Sequence, residues 1–287
     1  MFDKLVGNEE IKKLLKEALE TNNVSHSYMF SGISGIGKKL FAIEFAKEIM
    51  CLENHECNNT CDSCIKFNAE SNPDFSIVIP DGNSIKVNQI RSLQEDIAKK
   101  PIISNKKVYI IENADLMSEE SQNCLLKTLE EPPEYANIIL IVSNESRMLP
   151  TIKSRCVILK FSKINNQDLL KSASNLTEEQ VELLDGSFEK LPELEAKTEE
   201  YESVKRIVDT LKNKELVDVL NNSDVLYNGK DVIGELLDFL NIVFMKNGLI
   251  EPIEIVEKTK TKLKYNNNYE MCIDNLLMKC YKAIHKI

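Results

Sequence analysis

Residues 32–39 read GISGIGKK. Gly32, Gly35, Gly37 and Lys38 fit the spacing of a phosphate-binding loop, G-x-x-x-x-G-K. The next position, Ser or Thr in a loop that ligates Mg²⁺, holds Lys39. The preceding run, SYMFSG (27–32), is short, apolar and closed by glycine, which predicts a strand. The following run, KKLFAIEFAKEIM (38–50), has apolar residues at 40, 41, 43, 45, 46, 49 and 50, a helical stripe. A glycine loop between strand and helix is where backbone N–H groups and a helix N-terminus together cradle an anion. This one arrangement restricts the first half of the chain to a nucleotide-fold α/β module.

The rest of that half agrees. GNEEIKKLLKEALE (7–20) and NQIRSLQEDIAKK (88–100) are helical in spacing, and SEESQNCLLKTLEE (118–131) is a helix stopped by Pro132 and Pro133, with Ser118 placed to cap its start. FSIVIP (75–80), KVYII (107–111), NIILIVSN (137–144) and VILKF (157–161) predict strands. Strands alternating with helices imply a parallel sheet covered on both faces. After Phe161 only helical spacing remains. The expected fold is an α/β P-loop module over 1–163 with a Cys-rich insert at 51–64, a small helical lid over 164–202 and an all-α collar over 203–287.

With 287 residues, 43% of them hydrophobic and 29% charged, the composition is that of a globular protein with a real core. No apolar window is long enough for a membrane span, and MFDKLVGNEEIKKLL has no secretory apolar region, so a cytoplasmic protein with reduced cysteines is expected and no membrane partner. The net charge of −10 argues against a self-sufficient DNA binder.

The loop's catalytic companions are altered. Lys39 cannot ligate Mg²⁺. The strand VYII runs into Glu112 and Asn113, where a hydrolase of this layout places paired acids. Glu112 could approach a metal, but the amide of Asn113 cannot serve as a general base. The residues leave two readings open: a tight strand–helix turn, or nucleotide binding without hydrolysis. A second constellation is Cys51, Cys57, Cys61 and Cys64. Four thiolates in a short insert ending C-x₃-C-x₂-C can close a tetrahedral structural zinc site, with His55 as a substitute ligand; disulfides are the alternative, against which the compartment argues. Cys124, Cys156, Cys272 and Cys280 read as packing residues.

VGNEEI (6–11), SHSYMFSGISGIGKK (25–39), NCLLKTLEEPP (123–133) and LPTIKSRC (149–156) occur in order. On these residues the first 160 or so positions resemble the AAA+ clamp-loader family, in its delta-prime branch. The resemblance implies a non-hydrolysing ring member of a DNA polymerase III clamp loader. Its implied partners are motor (tau/gamma) and delta subunits, with the sliding clamp and primed DNA as substrates of the complex. It supports zinc at the four cysteines, although the gap between Cys57 and Cys61 is one residue longer than the family's pattern. It assigns Arg155 of Ser154-Arg155-Cys156 to a neighbour's ATP site, where a permanently charged fork suits phosphate oxygens. Glu189 in DGSFEK (185–190) stands where the motor subunits' lid arginine is expected.

Ser154 and Cys156 are expected to hold the turn, with a lowered Cys156 pKa conceivable beside an arginine. His26 reads as a structural hydrogen-bonding residue. Ser143 and Asn144 end a strand where related ATPases place a polar sensor. Arg91, Lys99 and Lys100 are either a solvated helix face or a contact for the DNA backbone, and the acidic run LEE reads as a solvent face. The competing functions are an active AAA+ ATPase that tolerates Lys39 and a zinc-stabilised adaptor outside ATP turnover.

Overall fold

The computed structural model of the chain describes residues 2, 5–53, 57, 59–173, 176–265 and 268–286. It divides into two compact units, Met1–Asp168 and Leu169–Ile287.

In the first unit five strands form one sheet: β1 (Ser27–Ser31), β2 (Phe75–Val78), β3 (Lys107–Ile111), β4 (Ala136–Val142) and β5 (Val157–Lys160). All pairings are parallel and the order is β2-β3-β4-β1-β5. Helices α1 (Glu9–Glu20), α2 (Lys38–Ile49), α3 (Asp62–Asn68), α4 (Val87–Ile97), α5 (Glu119–Glu130) and α6 (Pro150–Lys153) accompany it. Every residue of β1, β3 and β4 is buried, whereas edge strand β2 is only partly so. That is why the central strands read as continuous apolar runs rather than alternating ones.

Alternation survives inside those runs as a choice of face. Tyr28 and Phe30 of β1 and Ile139 and Ile141 of β4 join Leu15, Phe41 and Phe45 in one core. Met29, Ile138 and Leu140 join Ile90, Leu93, Leu125 and Leu129 in the other. Helices α1 and α2 therefore cover one face, and α4 and α5 the other. Capping of α5 is as expected: the Ser118 hydroxyl accepts the Ser121 N–H at 3.2 Å.

A buried polar network anchors the cysteine insert to the sheet. The Asp74 carboxylate, 1% exposed, accepts the backbone N–H groups of Ile102 (2.7 Å), Ile103 (2.7 Å) and Ser104 (2.8 Å). The Ser104 hydroxyl meets that of Ser63 on α3 at 2.7 Å, and Asn72 donates to the Ser63 carbonyl at 3.1 Å.

After α7 (Asn166–Ser172) the second unit is helical: α8 (Glu178–Leu183), α9 (Leu191–Ala196), α10 (Thr198–Asn213), α11 (Leu216–Asn221), α12 (Asp224–Asn228), α13 (Ile233–Lys246), α14 (Ile250–Lys264) and α15 (Tyr269–His285). Tyr201 and Phe239 stack edge to face at 4.8 Å in its core, with Leu236, Phe244 and Ile273 fully buried nearby in sequence or on the facing helices. The division expected at 202/203 falls inside α10. Ion pairs join its two sides: Lys205 with Glu179 (2.6 Å), and Lys246 with Glu178 (3.3 Å) and Glu182 (3.4 Å).

Candidate nucleotide loop, cysteine cluster and exposed arginine

The glycine loop leaves the C-terminal end of β1, the end at which open parallel sheets bind ligands. Two of its glycines are required sterically. A Cβ on Gly32 would sit 2.7 Å from the Phe161 carbonyl oxygen, and Gly37, at φ 87°, occupies the left-handed region as it starts α2. Lys38 is 5% exposed and its ammonium donates to the Gly32 and Ile33 carbonyls, both at 2.6 Å. It is turned onto its own loop.

Lys39 is exposed but paired. Its ammonium lies 2.7 Å from Glu112 Oε2. Glu112, expected to remain available to a metal, is thus paired with the lysine that replaces the metal-binding hydroxyl. The partnership crosses 73 positions and depends on β1 and β3 both ending at this edge. Nearby, Asp115 has a role with no signal in the sequence: its buried carboxylate accepts the N–H groups of Ser143 (3.0 Å) and Asn144 (3.2 Å), fixing the end of β4. The Asn144 side chain is engaged locally, accepting from Ser146. His26 has the structural contact expected of it, with Nδ1 3.2 Å from the Ala136 carbonyl.

The four cysteines come together. Their sulfurs all lie within 4.8 Å of one another, with Cys51 and Cys57 3.3 Å apart and Cys57 and Cys64 3.6 Å apart. A tetrahedral ion with metal–sulfur bonds near 2.3 Å requires sulfur separations of about 3.8 Å, so the set fits such an ion. Burial raises the Cys57 thiol, but hydrogen bonds from the Cys61 backbone and the neighbouring thiols outweigh it and bring it to about 6. Cys64 is pushed far up, first by burial and then by the Cys61 and Cys57 sulfurs. Four thiolates can share this space only around a cation. The positions of α2 and α3 create the cluster: Cys51 follows α2, Cys61 immediately precedes α3 and Cys64 lies in its first turn. His55 lies outside the described residues.

Arg155 sits between α6 and β5. Its Nη2 forms an ion pair with Glu130 Oε1 at 2.6 Å, and Nη1 donates to the Thr151 carbonyl (2.9 Å) and the Ser154 hydroxyl (3.3 Å). Both acids of the LEE run are exposed, as expected of a solvent face, and Glu130 there pairs with this arginine. Cys156 is not activated by its neighbour. The guanidinium points to Glu130, and burial pushes the thiol up to about 12. Ser154 holds the turn as expected, donating to the Thr151 carbonyl at 3.1 Å.

Register places Arg155 at the wrong end of the sheet to serve its own loop. Val157 pairs with Tyr28 in parallel, so Arg155 lies before the start of the strands while Gly32 lies past the end of β1. Four residue steps lead from Tyr28 to Gly32, about 13 Å along the chain. Arg91, Lys99 and Lys100 are exposed, Lys99 lying 3.8 Å from Asp96. Glu189 is exposed in the turn before α9.

Residues 7–165 match the family model described as DNA polymerase III, delta subunit. The DNA polymerase III subunit delta' of Bacillus subtilis is 42% identical over 152 residues, 53% of this chain and 46% of that one. The DNA polymerase III subunit gamma/tau of Mycoplasma pneumoniae is 35% identical over 197 residues, 67% of this chain and 28% of that one. The matches thus span less than half the length of these relatives. A weak likeness in structure, with a TM-score of 0.47 and 18% identity over 94% of this chain and 99% of the other, is to a DNA polymerase III gamma subunit-related protein of Thermotoga maritima. The family match takes in the glycine loop, the cysteine cluster and Arg155, and on it the chain belongs to the DNA polymerase III delta-subunit family, among the clamp-loader proteins of that polymerase.

Proposed function

We propose that the chain is a delta-prime-like, non-hydrolysing member of a clamp loader, and that Arg155 reaches the ATP site of a neighbouring subunit. The observation that carries this reading is the placement of Arg155 at the opposite end of the sheet from its own loop. A partly exposed guanidinium there has no phosphate of its own chain to meet, and a fork supplied in trans stabilises the charge that develops during phosphoryl transfer. The pairing of Lys39 with Glu112 supports the absence of intrinsic turnover, since the acid that could approach a metal faces an ammonium instead. Asn113 offers no base.

In this reading the four cysteines hold a structural zinc ion that fastens α3 to the module. Residues 164–202 act as lid and 203–287 as collar, the latter binding motor (tau/gamma) and delta subunits. The complex works in the cytoplasm and places the sliding clamp on primed DNA, with Arg91, Lys99 and Lys100 facing the DNA backbone.

The test is reconstitution with motor and delta subunits. Arg155→Ala is expected to lower DNA-stimulated ATP turnover of the assembled complex by about 10³-fold or more at the one site it serves, with assembly unchanged by size-exclusion chromatography. Unaltered turnover at every site, or ATP hydrolysis by the isolated chain that Lys38→Ala abolishes, would overturn it.

A further inference from the structure

We infer that Glu130 is the positioning residue of Arg155, fixing the guanidinium so that part of its donor edge is presented outward to a phosphate. The inference rests on the in-trans reading of Arg155 given above.

Glu130 is the last residue of α5, which Pro132 and Pro133 prevent from continuing. A carboxylate in the last turn of a helix faces the negative end of the helix dipole, and Glu131 beside it adds like charge. The helix itself gains nothing from an acid at this position. What the carboxylate does contact is Arg155, at 2.6 Å. Exposed pairs of this kind add little to stability, so the geometry is better explained by what it does to the arginine.

Three acceptors among the described residues engage Arg155: Glu130 on Nη2, and the Thr151 carbonyl and Ser154 hydroxyl on Nη1. A guanidinium has five N–H donors. With Nη1 taken by Thr151 and Ser154, the Nε and Nη2 edge is left to face a phosphate, and the guanidinium is held from two elements, α5 on one side and α6 with its C-cap Ser154 on the other. The side chain remains 33% exposed. A long flexible side chain fixed in this way loses less freedom when the phosphate arrives. Glu130 does not touch the phosphate; it acts through Arg155.

A double-mutant cycle in the reconstituted complex tests this. Glu130→Ala is expected to lower kcat for DNA-stimulated ATP hydrolysis roughly ten- to a hundredfold, as misplacement of a catalytic group does, with KM for ATP unchanged. Glu130→Gln, which keeps an acceptor of the same shape, should recover most of that loss. Glu130→Ala combined with Arg155→Ala should be no slower than Arg155→Ala alone. Wild-type kcat in both Glu130 variants while Arg155→Ala is slow would overturn the positioning role and leave the in-trans reading standing. So would losses that simply multiply in the double variant. No effect of Arg155→Ala would remove the in-trans reading itself. Melting curves of the Glu130 variants matching wild type exclude a folding defect, and Glu130→Gln carries the test if Glu130→Ala does not fold.

Discussion

Lys39 occupies the position of a hydroxyl, and its ammonium reaches across to Glu112 at 2.7 Å. Removing the ammonium and restoring the hydroxyl should release both constraints on a metal. Lys39→Thr is expected to give Mg²⁺-dependent binding of a fluorescent ATP analogue, with affinity improved at least tenfold over the parent chain, and still no phosphate release because Asn113 provides no base. Binding that stays undetectable in the variant would mean that Lys38, turned onto the Gly32 and Ile33 carbonyls, closes the loop by itself. The glycines and lysines of this site were legible because loop spacing is local. Their pairings were not. Lys39 meets Glu112, and Arg155 meets Glu130, only because a particular strand order and helix placement bring distant segments together. Cys156 shows the same limit in reverse: adjacency to arginine in sequence suggested an activated thiol, but burial governs it.

The five strands of the first unit and its helices α1, α2, α4 and α5 were readable nearly to their ends, because the runs that sheet burial makes continuously apolar are distinct, whereas the short helices α3 and α6 carry too few turns to show a period. The cysteine insert could be read as a ligand set but not as an anchored element. Its fastening through Ser63, Asn72, Asp74 and Ser104 is a network of polar residues with no periodicity. If zinc fills the cluster, elemental analysis should find about one zinc per chain. Chelation should then lower Tm by roughly 4–8 °C, as a loss of about 2 kcal/mol does in a domain of this size, and Cys61→Ser should do the same without a chelator. In the second unit, Glu179 makes a pH-dependent contribution. Burial raises its carboxyl, but hydrogen bonds from Lys205, backbone and Thr177 outweigh that and bring it from 4.5 to about 2. The folded state therefore holds fewer protons than the unfolded one between those values, so the stabilisation is complete above pH 4.5 and disappears as pH falls toward 2. Thermal melts should show Glu179→Gln below wild type at pH 7, with the gap closing through that window; a gap independent of pH would exclude the ion pair as its source.

Across the whole molecule, 46 acidic side chains exceed 36 basic ones, giving a net charge of −10. Phosphate backbones are held by cationic surfaces. The isolated chain should bind a labelled primed duplex no better than a Kd of about 10⁻⁴ M at physiological salt, the weak end of non-specific association. Fluorescence anisotropy would check this, and micromolar binding by the lone chain would contradict a role dependent on assembly. Among the described residues no helix is long and apolar enough to cross a membrane. Composition gave this charge balance directly, whereas the continuity of α10 through residues 202 and 203 was not legible from helical spacing.

The neighbour that β1 needs arrives late. Ser31 pairs with Val142, so 111 further residues must be made after the strand itself before its partner exists. At a synthesis rate of 5–20 residues per second the nascent SYMFS segment waits roughly 6–22 s beside the ribosome with no sheet to enter. Its apolar side chains are a natural substrate for chaperones during that interval. A translational pause placed between residues 31 and 142 would lengthen the exposure, and one placed before residue 27 would not.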